Sequence, residues 1–329
     1  MNEYRRKTVL IGVVSCLPIV CLSKQFCKDA ALAQEIADVR RFVPQESAGL
    51  KFVVFSPDSR TVAIGGGTRI EIWEIRTGQH KFLRVPKEIS CLVFSPDGKA
   101  VVFGQQHEIR FWDWSQDIEI MMLKGHETIV KSLCFSPDGT RLASTADYPE
   151  KKACVWDTRN GRKILEIPFD KNDARAVTFS SDGKMIATAH LRAVCVWDAE
   201  TGKKLSKIAC QGGVDCLTYS ADGKRLCGAG ATGLYVWDVT GGVERLKIDS
   251  ESAAGSMSPT GEIAALGNPK GIRVWSVATS KELLRIDGHF RVLTFSPDGR
   301  SLAYVNTGSI DGELIIQNVS SLKRTGKMP

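Results

Sequence analysis

Residues 131–157 read KSLCFSPDGTRLASTADYPEKKACVWD, and this stretch decides the fold. It begins as an alternating apolar run that ends at Phe135. Pro137-Asp138-Gly139 follows. Pro fixes one backbone torsion and Gly accepts a positive φ, so the chain turns back on itself. Residues 141–145 form a second extended run, residues 153–156 a third that ends in Trp156-Asp157, and residues 163–167 a fourth. Short runs of this kind between turn signals predict antiparallel strands.

The same unit recurs along the chain. The turn element reads Phe55-Ser56-Pro57-Asp58, Phe94-Ser95-Pro96-Asp97-Gly98 and Phe135-Ser136-Pro137-Asp138-Gly139. It continues as Phe179-Ser180-Ser181-Asp182-Gly183, Tyr219-Ser220-Ala221-Asp222-Gly223, Met257-Ser258-Pro259-Thr260-Gly261 and Phe295-Ser296-Pro297-Asp298-Gly299. Behind each copy comes a second element: Trp73-Glu74, Trp112-Asp113, Trp156-Asp157, Trp197-Asp198, Trp237-Asp238, Trp275-Ser276 and, in the last unit, Gln317-Asn318. Successive intervals are 39, 44, 41, 40, 38 and 42 residues, and six of the seven Trp occupy this one position. A period of this length marks a repeat architecture. One four-stranded sheet cannot bury both faces alone. Stacked radially, each sheet covers its neighbour, with Trp and Phe filling the space between.

These two elements in register resemble the Trp-Asp (WD) repeat β-propeller family, over residues 38 to about 320. The resemblance implies an all-β fold: a seven-bladed β-propeller of four-stranded antiparallel blades. The last unit stops after its third strand, near Val319, and residues 38–43 stand where a fourth strand would. An N-terminal strand is therefore expected to join the last blade and close the ring, leaving no open sheet edge there.

In the family a Gly-His pair precedes the first strand, and its His joins a buried hydrogen-bond chain with Ser or Thr, Asp and the Trp. By position the third blade assembles this network from His126, Ser144, Asp147 and Trp156. The family face that commonly receives partner peptides maps here to Lys87, Glu127, Tyr148, Arg175, His190, Arg192, Phe290 and Arg291. The insertion Tyr148-Pro149-Glu150-Lys151-Lys152 is the most individual feature of the repeats. The expected function is a non-catalytic protein-interaction scaffold that acts as a monomeric ring. The alternative is a hydrolase-like or lactonase-like propeller enzyme with its site in the central channel.

The chemistry-bearing motifs are few. With 43% hydrophobic and 25% charged residues the 329-residue chain has ordinary globular composition, and its net charge of +7 is mild for this length. Ten Cys include no CxxC pair, and the chain holds no HExxH and no GxSxG. The five His are dispersed through the repeats. Gly228-Ala229-Gly230-Ala231-Thr232-Gly233 matches GxGxxG but falls in a predicted hairpin, where no helix can receive a phosphate. No catalytic residue, metal ligand or cofactor is assigned. Nucleic acid is not an expected partner, since a stacking platform needs exposed aromatics.

The N-terminus reads as a separate segment. Arg5, Arg6 and Lys7 precede residues 8–23, which carry no charge. A spanning helix wants about twenty apolar residues, so this run fits a secretory signal or a short anchor better. Ala31-Leu32-Ala33 offers a small-x-small cleavage site, and Val13-Val14-Ser15-Cys16 resembles a lipobox. Residues 1–33 are thus expected to be a signal peptide or membrane anchor and residues 34–329 the ring, held outside the cytoplasm. A cytoplasmic chain is the alternative.

Overall fold

A computed structural model describes residues 39–44, 49–169, 174–250, 254–306 and 312–322. They form seven four-stranded antiparallel sheets. Each of the first six is a meander: residues 52–84, 89–124, 130–168, 176–209, 216–249 and 254–287 make blades 1 to 6 in chain order. Blade 7 takes three strands from residues 290–318 and its outer strand from Val39–Phe42. The first strand of each blade touches that of the next, and blade 7 touches blade 1, so the seven sheets close into a ring with those strands innermost.

The closing strand pairs in antiparallel register, Val39 with Gln317 and Phe42 with Leu314. Its side chains add to the joint. Phe42 lies 5.2 Å from the Trp73 ring of blade 1. Arg40 donates to the carbonyl of Ile75 (2.7 Å), and the Asp298 amide of blade 7 donates to Ser59 Oγ of blade 1 (3.1 Å).

The interior is a set of slabs, each built by two neighbouring blades. Ala143, Val155 and Ile167 of blade 3 pack on Val177, Phe179 and Trp197 of blade 4. Phe42 and Leu314 pack on Val62 and Trp73 across the closure. Burying each such large side chain is worth roughly 1.5–3 kcal/mol, and a lone blade would leave half of that surface in water.

The recurring turn is held by its own residues. Ser136 Oγ donates to Asp138 Oδ1 (2.6 Å) and receives the Arg141 amide (2.9 Å). The same pair recurs as Ser56 with Asp58, Ser95 with Asp97, Ser180 with Asp182, Ser220 with Asp222 and Ser296 with Asp298. Gly139 sits at φ 71°, which other residues rarely adopt, although Ser59 takes φ 61° in blade 1. The Asp after the Trp has an equally local duty. Asp157 Oδ1 receives the Arg159 amide (2.9 Å), and the Arg159 side chain draws its carboxyl down to about 2. The GxGxxG match is a hairpin, Arg225–Gly230 returning as Gly233–Asp238. Residues 1–33, and with them the expected leader, lie outside the described residues. Among the described residues no helix is long and apolar enough to cross a membrane.

Candidate functional site

The meander places the loops after second and fourth strands on one end of every blade. On blade 3 that end is stiffened from inside. Trp156 Nε1 donates to Ser144 Oγ (2.7 Å), Ser144 Oγ lies 2.6 Å from His126 Nε2, and His126 Nδ1 lies 2.7 Å from Glu150 Oε1. An indole N–H can only donate and an ionised carboxylate can only accept. Proton order then runs one way: the indole gives to the hydroxyl, the hydroxyl to Nε2, and Nδ1–H to Glu150. The ring is neutral in this scheme. Its pKa is correspondingly lowered, because burial outweighs the pull of Glu150.

The carboxylate in this chain corrects the sequence expectation. Asp147 does not reach His126. It is partly exposed, pairs with Lys131 Nζ (2.9 Å) and caps the Tyr148 amide (3.0 Å). The insertion displaces the position the family would use and delivers Glu150 instead, with its side chain only 2% exposed. Glu150 Oε2 also receives the Glu127 amide (2.9 Å), so the loop is pinned at both ends. Cys154 lies close enough to make a His126–Glu150–Cys154 cluster within 4.8 Å. These groups do not read as a metal centre: both imidazole nitrogens are already hydrogen-bonded, and burial pushes the Cys154 thiol up to about 12.

Two other blades solve the same packing problem differently. In blade 4, Trp197 Nε1 donates to Thr188 Oγ1 (2.8 Å), which lies 2.9 Å from His190 Nε2. The imidazole here comes from two residues along the same strand, not from the preceding loop. In blade 7 the aromatic and the polar group change places: Tyr304 stands on the second strand, and its hydroxyl donates to Oε1 of Gln317 (3.0 Å). Blade 1 has Ile64 where a hydroxyl would stand, and the buried Trp73 Nε1 has no partner.

Of the residues expected on the partner face, Lys87, Glu127, Tyr148, Arg175 and Arg192 are exposed at the loop end of blades 1 to 4. Tyr148 is 69% exposed. Arg175 pairs with Asp215 of the next blade (2.9 Å). Two others are corrections. His190 is buried, with its ring edge-on to Phe169 at 4.7 Å. Phe290 is buried edge-on to Tyr304 at 5.1 Å. Both face the blade interior because the strand pleat alternates, so neither can touch a partner. Arg291 lies in the strand Phe290–Phe295, and its side chain is outside the described set.

A cavity of about 700 Å³ opens at the same end, walled by the innermost strands of blades 1, 5, 6 and 7. Its lining is largely apolar, including Phe52, Val54, Val292 and Leu293, with Lys51 and Asp215 at the rim. It holds no histidine among the described lining residues, and its one carboxylate is the Asp215 already paired with Arg175.

The family model "WD domain, G-beta repeat" matches residues 118–157, the outer strand of blade 2 followed by three strands of blade 3. This repeat match and the seven-bladed ring together support the WD-repeat β-propeller family. It is 32% identical over 117 residues to the WD repeat-containing protein SL1-17 of Schistosoma mansoni, covering 34% of this chain and 38% of that protein. It is 35% identical over 68 residues to the nuclear distribution protein PAC1 of Komagataella phaffii, covering 20% of this chain and 13% of the other. The chain thus spans well under half of either relative, and what those whole proteins do stays with them.

Within the WD-repeat pattern the residues that sequence reasoning missed are Glu150, Thr188 with His190, and Tyr304 with Gln317. A signal existed for the last two: polar Thr188 and oversized Tyr304 occupy the strand position of Ser144. Glu150 had none, since an insertion has no register against the other repeats.

Proposed function

We propose that this protein is a non-catalytic scaffold that holds other proteins on the loop end of blades 1 to 4, and that it is exported or membrane-tethered. The observation that carries the partner face is the insertion of blade 3. Glu150 is locked inside by His126 and by the Glu127 amide, while Tyr148, two residues earlier, stands 69% exposed. A loop anchored this way presents its tip without a large ordering cost on binding. Arg192, the neighbouring loop of blade 4, adds an exposed cation. The WD-repeat match supports the scaffold reading, since WD-repeat propellers generally bind other proteins. The membrane part rests on the sequence alone: Arg5, Arg6 and Lys7 ahead of the charge-free residues 8–23.

The test combines fractionation with capture. The full-length chain is expressed in its source cell, membrane and soluble pools are separated, and bound proteins are recovered. Tyr148→Ala and Arg192→Ala are expected to reduce partner recovery with unchanged thermal melting. Undiminished recovery removes this face, and a wholly soluble, unprocessed cytoplasmic chain removes the tether. The alternative, an enzyme with its site in the central channel, predicts turnover that replacement of one axial side chain abolishes.

A further inference from the structure

The axial cavity is not isolated. A second pocket, of about 460 Å³, lies beside it at the same end between blades 1, 2 and 3. Lys51 and Phe52 line both, so the two share one wall. Their characters differ. The second pocket carries three ammonium groups, Lys51, Lys87 and Lys131, against one carboxylate, Glu88. Lys51 is paired with Glu88 (2.5 Å) and Lys131 with Asp147 (2.9 Å). Among the described residues, Lys87 Nζ meets the neutral amide oxygen of Gln106 (2.7 Å) and no carboxylate. Its backbone is fixed by Gln105, whose Nε2 donates to the Lys87 carbonyl (2.6 Å). The backbone is therefore fixed, and among the described residues the ammonium forms no ion pair.

Resting on the scaffold reading above, we propose that these paired pockets receive an acidic peptide segment. A carboxylate side chain sits on Lys87, and an adjacent large aliphatic side chain enters the axial cavity between Phe52 and Val292. Two features favour a peptide over a polynucleotide. Most side chains of the axial half are apolar and, among the described lining residues, Lys51 is the one cation, where a phosphate backbone would need more. Of the two aromatics lining the axial cavity, Phe52 is half-buried and Phe290 is 3% exposed, so bases find no open stacking platform.

The test titrates the full-length protein calorimetrically with three blocked pentapeptides: Gly-Asp-Leu-Glu-Gly, Gly-Asp-Gly-Glu-Gly and Gly-Lys-Leu-Lys-Gly, with a short single-stranded oligonucleotide as a fourth arm. The first peptide is expected to bind best, more weakly as salt rises. Lys87→Glu is expected to weaken it at least tenfold and Lys87→Gln severalfold, both with unchanged melting. Equal binding of the lysine peptide, indifference to Lys87→Glu, or tighter oligonucleotide binding overturns the proposal. Partner capture that still depends on Tyr148 while the first peptide fails to bind would overturn this site and leave the scaffold reading standing.

Discussion

Replacing Glu150 by Ala is the sharpest probe of how blade 3 is held. The carboxylate accepts from His126 Nδ1 (2.7 Å) and from the Glu127 amide (2.9 Å), and its side chain is 2% exposed. The substitution strips both donors of their acceptor. The His126 side chain is 1% exposed, so water cannot fully replace what is lost. A buried donor left unpaired costs about 1–3 kcal/mol, and two of them cost about 3 kcal/mol after some relaxation of the loop. In a domain of this size that is a fall of roughly 4–6 °C in melting temperature. Asp147→Ala is the matched control. Its carboxylate is 40% exposed and serves a surface ion pair with Lys131 and the solvent-exposed Tyr148 amide, together worth about 1 kcal/mol. Scanning calorimetry and urea titration of both variants give the answer directly. If Asp147→Ala costs as much as Glu150→Ala, the assignment of Glu150 to the buried chain is wrong.

Three further outcomes are expected. Burial lowers the His126 pKa, so below about pH 6.5 the unfolded chain binds a proton that the folded chain refuses. Its contribution to stability is present above that pH and is lost as pH falls towards the folded-state value. The gap between urea midpoints at pH 7.5 and 5.5 should therefore shrink in His126→Gln, and an unchanged gap counts against a neutral imidazole. Tyr304→Phe leaves the buried Gln317 Oε1 without its donor and should cost about 1–2 kcal/mol by urea denaturation; adding Gln317→Leu should recover part of that, and a fully additive double variant would show no coupling. Burial pushes the Cys91 and Cys154 thiols up to about 12, so both should resist Ellman's reagent at pH 8 until denaturant is added; rapid reaction in the folded protein would contradict the slab packing.

The contrast between blades shows where sequence reading stops. Trp156 and Trp197 both find a hydroxyl, at Ser144 and Thr188, because that strand position faces the indole in both blades. The third member of the chain is not fixed by the repeat. It comes from the preceding loop in blade 3 and from the same strand in blade 4. His190 and Phe290 illustrate the opposite error. Each falls close to a loop, which suggests exposure, yet each is the strand-end residue whose pleat turns it inward.

What the sequence determined by itself is the ring: seven recurrent turns, six of them Ser-x-Asp and one Ser-x-Thr, six Trp in register, and a missing outer strand supplied by residues 39–42. These features repeat, and each is explained by hydrogen bonds a few residues long or by period-two burial, so they are legible in one dimension. Only the tertiary structure decided that Glu150 enters the core, that Asp147 does not, and that Lys51 joins an apolar cavity to a basic one. Those facts depend on an insertion without repeat register and on side chains from different blades meeting across the axis. A local pattern carries no record of such distances.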